Sequence, residues 1–329
     1  MIAAPTGNRR RVGSLEALLL SLIALAVSAG AVSAFVAGDP DLSTAATVFC
    51  GVFVQALPFL VLGVVISGLI AAFVDAERLS RWLPRRPALA VVLAGVGGAA
   101  LPGCECGSVP VARRLFGPGT NGAAALAFML SAPAINPVVL VATAVAFPGQ
   151  PEMVLARCVA SLATAVVMGL WWSRFGRDEW VTRELPEVAP AGSSRWTVFS
   201  EAARHDFLQA AAYLVVGASA AAALHVLVPA WVFEHLAGSL VLGVVTMALL
   251  AVVLALCSEA DAFIASSLTM VPLVPRLVFL VVGPAFDVKL SAMQVGMFGR
   301  RFAMRFGPVT LVVAAVIATV VGLVILGGA

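Results

Sequence analysis

The chain has 329 residues, of which 61% are hydrophobic and only 11% charged, against roughly 45–50% and about 25% in soluble domains. That excess of apolar side chains excludes an ordinary water-facing domain and makes the chain an integral membrane protein. The net charge of +3 is carried almost wholly by arginine, with Lys289 as the one lysine, so it reports topology and argues against a nucleic-acid partner. Five cysteines, most within apolar stretches, exclude a secreted disulfide framework, and three histidines exclude a histidine-rich metal store.

Crossing about 30 Å of hydrocarbon takes roughly 20 apolar residues. Runs of that kind fall at 15–37, 47–73, 121–147, 152–173, 207–229, 274–298 and 307–327, which predicts an all-α polytopic membrane protein with about seven full spans. Cytoplasmic loops are rich in Lys and Arg, so Arg9, Arg10 and Arg11 place the N-terminus inside. The first run, ending AGAVSA, has some features of a cleavable signal peptide. Its length favours an anchor span, with residues 1–46 forming that span and an outer loop.

Two further apolar runs, 88–101 and 236–256, lead into PGCECGSVP and CSEADAF. Read as re-entrant or broken hairpins, one entering from each side, they leave only Arg157, Arg276 and Lys289 off the cytoplasmic side. A full span at 88–116 would instead export Arg113, Arg114 and the arginines after them. The organisation is then a first membrane repeat at 47–174, a polar cytoplasmic linker at 175–204 and a second membrane repeat at 205–329. The halves echo each other without gaps: Cys106 aligns with Cys257, Phe128 with Phe279, Pro133 with Pro284 and Asn136 with Asp287. Under the charge-derived topology the two units are inverted, an arrangement that places a binding site where broken helices meet.

The stretch from Leu101 to Pro110 holds the least ordinary chemistry. Pro102, Gly107 and Pro110 break regular structure, and irregular backbone at membrane depth lines protein or a wet cavity. If the segment is extended, Cys104 and Cys106 face one way and Glu105 the other, so that two thiolates reach one soft ion. Two small buried cysteines acting as hydrophobes are the plainer alternative. Cys257, Glu259 and Asp261 form the matched segment, and intramembrane acids are functional candidates by default. If the segment is helical, Cys257 and Asp261 share a face; if it lies at the outer surface, its acids are simply solvated. Asn136, Asp287 and Lys289 are candidates for a pathway or for proton coupling, beside breaks at Pro133 and Pro284. A polar pair that merely holds helices together fits the first two equally well. The turn GPGTNG lacks the Lys-Ser/Thr of a phosphate loop, so energy comes from a gradient or a partner.

The sequence LPGCECGSVPVARRL followed by AALAFMLSAPAINPVVL resembles the bacterial predicted-permease family of the trivalent organoarsenical efflux permease (ArsP) and its YraQ-like relatives. Pro102, Cys104, Cys106, Gly107, Pro110, Phe128, Pro133, Asn136 and Pro137 fill that family's pattern, and the YcgR-like branch is the most similar. The resemblance implies a multi-pass permease for soft metals or metalloids, often paired with a second small membrane subunit. Glu105 departs from the small residue usual at its position and shifts the expected cargo toward a divalent cation. The sequence therefore predicts a plasma-membrane permease in the lipid bilayer, with no resident cofactor and with zinc, copper or a trivalent arsenical as cargo. Two other readings stand beside it. A thiol oxidoreductase cycling a Cys104–Cys106 disulfide is weakened by the lack of a CxxC pair, and a structural subunit of a two-component permease would leave the transport path to its partner.

Overall fold

The computed structural model describes residues 38–73, 84, 86–101, 104–116, 122–181, 194–227 and 240–327. The chain divides into two compact units, residues 1–47 and 48–329. The first contributes residues 38–47, the opening turns of one helix; all that follows concerns the second. Among the described residues the secondary structure is helical, without strands. In chain order the α-helices are α1 (Pro40–Phe73), α2 (Pro87–Gly97), α3 (Glu105–Leu115), α4 (Gly122–Ile135), α5 (Pro137–Ala146) and α6 (Pro151–Phe175). After the linker come α7 (Arg195–Leu227), α8 (Leu240–Leu254), α9 (Ser258–Ser267), α10 (Leu273–Ala285), α11 (Val288–Met297) and α12 (Arg300–Ile325).

Among the described residues, five segments are long and apolar enough to cross a membrane: Pro40–Phe73, Gly122–Ala146, Pro151–Phe175, Arg195–Ala223 and Arg300–Ile325. This differs from the seven runs read in the sequence. The run at 15–37 lies outside the described residues, and the run at 274–298 is two helices, α10 and α11, parted at Phe286 and Asp287. The expected outer loop also shortens, because α1 begins at Pro40: Asp39 Oδ1 accepts from the Asp41 N–H at 2.9 Å, and Pro40 needs no donor there. At its other end the polar linker gives way to α7 at Arg195.

Lengths recur across the linker. A long helix (α1, 34 residues; α7, 33) precedes two short ones (α2 and α3, both 11; α8, 15, and α9, 10). A broken pair follows (α4, 14, and α5, 10; α10, 13, and α11, 10), and then a second long helix (α6, 25; α12, 26).

The breaks have a local cause. Pro133 has no N–H for the Met129 carbonyl, and the Ser108 hydroxyl of α3 donates to that carbonyl at 3.1 Å. Asn136 then caps α5: its Oδ1 accepts from the Val139 N–H at 3.0 Å, while its Nδ2 donates to the Ala132 carbonyl at 2.9 Å. Asp287 repeats the cap for α11, with Oδ1 accepting from the Leu290 N–H.

Packing follows the membrane rule that small residues let helices approach while bulky ones face lipid. Along α12, Thr310, Ala314, Ala318 and Gly322 are buried, whereas Val312, Val316, Val320 and Val324 are exposed. The halves interlock, since α3 packs on α11 and α9 packs on α5. One close backbone approach is between α1 and α3. A Cβ on Gly63 would collide with the Gly107 backbone, and one on Gly107 would come within 2.7 Å of the Phe59 carbonyl oxygen. Gly63→Ala is therefore expected to destabilise the protein by about 1–3 kcal/mol, read as a lower unfolding midpoint in detergent. Gly51→Ala on the same helix, with nothing within 4 Å of the added Cβ, is expected to leave it unchanged.

Candidate metal site

Pro110 suggests that the CxC segment is not helical, yet α3 starts at Glu105 and runs through it. A proline at that position forfeits one bond, that to the Cys106 carbonyl. Cys104 is extended, at φ −88 and ψ −178, and is the N-cap residue of α3. The extended register expected for residues 104–106 is therefore corrected, and with it the expected opposition of Glu105 to the cysteines. Cys257, at φ −79 and ψ 146, is likewise the N-cap residue of α9. Cys104 and Cys257 thus hold the same place, one residue before a short helix.

The two helix starts bring the Cys104 Sγ, a Glu105 carboxylate oxygen and the Cys257 Sγ within 4.8 Å of one another, all buried. Cys106, fully buried, lies beside Cys104. Both hairpins point helix N-termini at this spot, where free N–H groups and the helix dipole favour negative charge. Lys289, on the first turn of α11, forms an ion pair with Glu105 in which both side chains are at most 1% exposed. Its Nζ also donates to the Leu256 carbonyl at 3.4 Å and lies 3.9 Å from the Cys257 Sγ. Glu105 Oε2 accepts no hydrogen bond among the described residues. Two thiolates and a carboxylate are a zinc-type donor set. With Zn–S bonds of about 2.3 Å, tetrahedral geometry asks for sulfurs roughly 3.8 Å apart.

The remaining candidates divide. Asp261 is buried but outside the cluster, with its Oδ2 against Gly283 of α10, and Glu259 is half-buried beside it on α9. Asn136 and Asp287 cap helices, as described. Asp287 Oδ2 accepts no hydrogen bond among the described residues. Pro110, Pro133 and Pro284 lie within α3, α4 and α10, and Gly107 forms the close contact with α1. Pro102 lies outside the described residues.

Arg157 was not among the expected site residues. It is fully buried in the middle of the bundle, and its guanidinium joins the halves: Nη1 donates to Thr143 Oγ1 of α5 at 2.7 Å and Nη2 to the Ser258 carbonyl of α9 at 2.8 Å. The signal in the sequence was an arginine within the apolar stretch of a 25-residue helix, well before Arg174 in its last turn, which a charge count used only for topology passes over. Because Ser258 follows Cys257, the fork fixes where α9 begins. Arg157→Lys keeps the charge but loses the planar fork, and is expected to weaken zinc binding by about 10–100-fold, as outer-shell changes do. Titration of the purified protein reads this directly.

Membrane-length helices packed with shorter apolar ones, with charged side chains buried among them, describe a multi-pass membrane protein. The chain belongs to the ArsP_1 predicted-permease family, whose sequence profile matches residues 41–326. It is 34% identical over 278 residues to the UPF0718 protein YcgR of Bacillus subtilis (strain 168), covering 83% of this chain and 94% of the relative. It is 28% identical over 283 residues to a putative two-component membrane permease complex subunit of Streptococcus mutans, covering 84% of this chain and 94% of that one. No solved structure matches it.

Proposed function

We propose that the chain carries a soft metal ion or metalloid across the bacterial plasma membrane, binding it between the Cys104, Glu105 and Cys257 side chains with Cys106 adjacent. The observation that carries this reading is the convergence of two thiols and a carboxylate from both halves within 4.8 Å, inside the bundle. Zinc and copper(I) suit the thiolates, and a trivalent arsenical takes two of them; the carboxylate favours a divalent cation. Asp261, Glu259 and Asp287 are then further ligands or proton carriers beside the route, since acids at this depth are costly without such a role. The recurrence of element lengths across the linker supports an inverted repeat, and the arginine distribution supports a cytoplasmic N-terminus. Titrating purified protein with zinc, copper(I) and a trivalent arsenical, wild type against Cys104→Ser/Cys106→Ser, tests the reading. Binding lost in the variant supports it, and no binding of any of the three by wild type sinks it.

A second membrane subunit is also proposed, because the Streptococcus mutans relative is named as a subunit of a two-component complex. Co-purification of one further small membrane protein from native membranes is the expected result.

A further inference from the structure

Below the cysteines lies a second polar cluster that the cargo site does not use. Arg114, near the end of α3, donates from Nε and Nη2 to the two oxygens of Asp206 on α7, both at 3.1 Å. This bidentate pair is 7% and 1% exposed. The Ser67 hydroxyl of α1 donates to Asp206 Oδ2 at 2.6 Å. Next to it, Arg113 donates from Nε to the Met297 carbonyl at the end of α11 at 2.9 Å and from Nη1 to the Phe116 carbonyl at 2.8 Å. Its guanidinium carbon stands 5.7 Å from the centre of the Phe298 ring. Two consecutive arginines thus tie the end of the first hairpin to two helices of the second half. Helix rise places Arg114 about 15 Å from Cys104, beside the first half of α7.

The far end of the second hairpin is built differently. Ser266 and Ser267 of α9 donate to carbonyls of their own helix, those of Phe263 and Ile264, both at 2.8 Å. Met270 just beyond is 92% exposed. Among the described residues, no ion pair joins the halves there. Among the described residues, one end of the bundle is locked between the halves by charge, while at the other Arg276 of α10 clasps its own loop, donating from Nε to the Val271 carbonyl at 2.6 Å and from Nη2 to the Thr269 carbonyl at 2.8 Å.

We propose that the Arg114–Asp206 pair, braced by Ser67 and Arg113, is the inner gate of the permease, shut in this structure, and that its opening exposes the cysteine site to the cytoplasm. The proposal rests on the permease reading above. A buried ion pair contributes little net stability against apolar substitutes, but it makes and breaks as a unit. Its partners sit on elements that must separate if the first hairpin is to move away from α7 and α11.

The test is labelling of Cys104, Cys106 and Cys257 by a membrane-impermeant maleimide in a Cys50→Ser/Cys158→Ser background. Inside-out vesicles present the cytoplasmic face and right-side-out vesicles the outer face. Asp206→Asn is expected to speed labelling several-fold from the cytoplasmic face and leave the outer face unchanged. The swap Arg114→Asp/Asp206→Arg is expected to return the rate toward the parent's. If Asp206→Asn fails to accumulate, Ser67→Ala and Arg114→Lys, which keep both charges, are expected to give a smaller rise at parental abundance. Unchanged cytoplasmic labelling, or a rise confined to the outer face, overturns the proposal. Labelling needs no metal, so a protein that binds no metal can still pass or fail here, and the two readings fail separately.

Discussion

Replacing Cys257 by serine is expected to weaken zinc binding by more than about 100-fold, the upper end of what even an outer-shell change costs. Cys257 and Cys104 are the two sulfurs of the convergent set, each delivered by the first residue before a hairpin helix. Serine preserves the cap geometry but offers a hard, weakly acidic oxygen where the ion wants thiolate. Cys104→Ser is expected to match it. Cys106→Ser, two positions further in, is expected to cost about tenfold, the lower end of that range. Equal losses at all three positions would move the ligand set onto Cys106 and away from Glu105. The binding also has a sign with pH. Each thiol must surrender its proton to bind, so where both are protonated, lowering the pH by one unit is expected to weaken zinc binding by about 100-fold. Titrations at two pH values check the slope, and a flat response would mean that fewer than two thiols bind.

Lys289→Met is expected to be the most damaging single substitution for stability. Glu105 and Lys289 form an ion pair within the bundle with almost no solvent contact. Removing one partner of such a pair leaves a buried uncompensated charge and costs about 3–5 kcal/mol. The double variant Glu105→Gln/Lys289→Met leaves no charge behind and is expected to recover most of the loss. Thermal unfolding in detergent measures all three proteins, and simple additivity in the double variant would show that the two charges do not face each other. Saturating zinc is expected to restore part of the stability of Lys289→Met, because a divalent cation beside Glu105 supplies the positive charge that the ammonium gave.

Local chemistry wrote much of this architecture into the sequence. The Pro133 and Pro284 breaks, each followed three residues later by a side chain able to cap, marked the two joints. Local chemistry misled at the CxC motif, where flanking prolines suggested extended chain. In a helix a proline's cost depends on position, and near the N-terminus it is one hydrogen bond. What the sequence withheld were the long-range polar contacts. Glu105 meets Lys289, Arg157 meets Ser258 and Arg114 meets Asp206 across the linker. Each residue alone looks like an oddity in an apolar run, and only packing of the halves pairs them.

The caps at Asn136 and Asp287 differ in what they hold. Asn136 reaches across its break, from the Ala132 carbonyl to the Val139 N–H, whereas Asp287 holds the start of its own helix through the Leu290 N–H. Lys289 sits two residues beyond Asp287, with its ammonium against Glu105. The cap that starts α11 therefore also sets where that ammonium stands against Glu105.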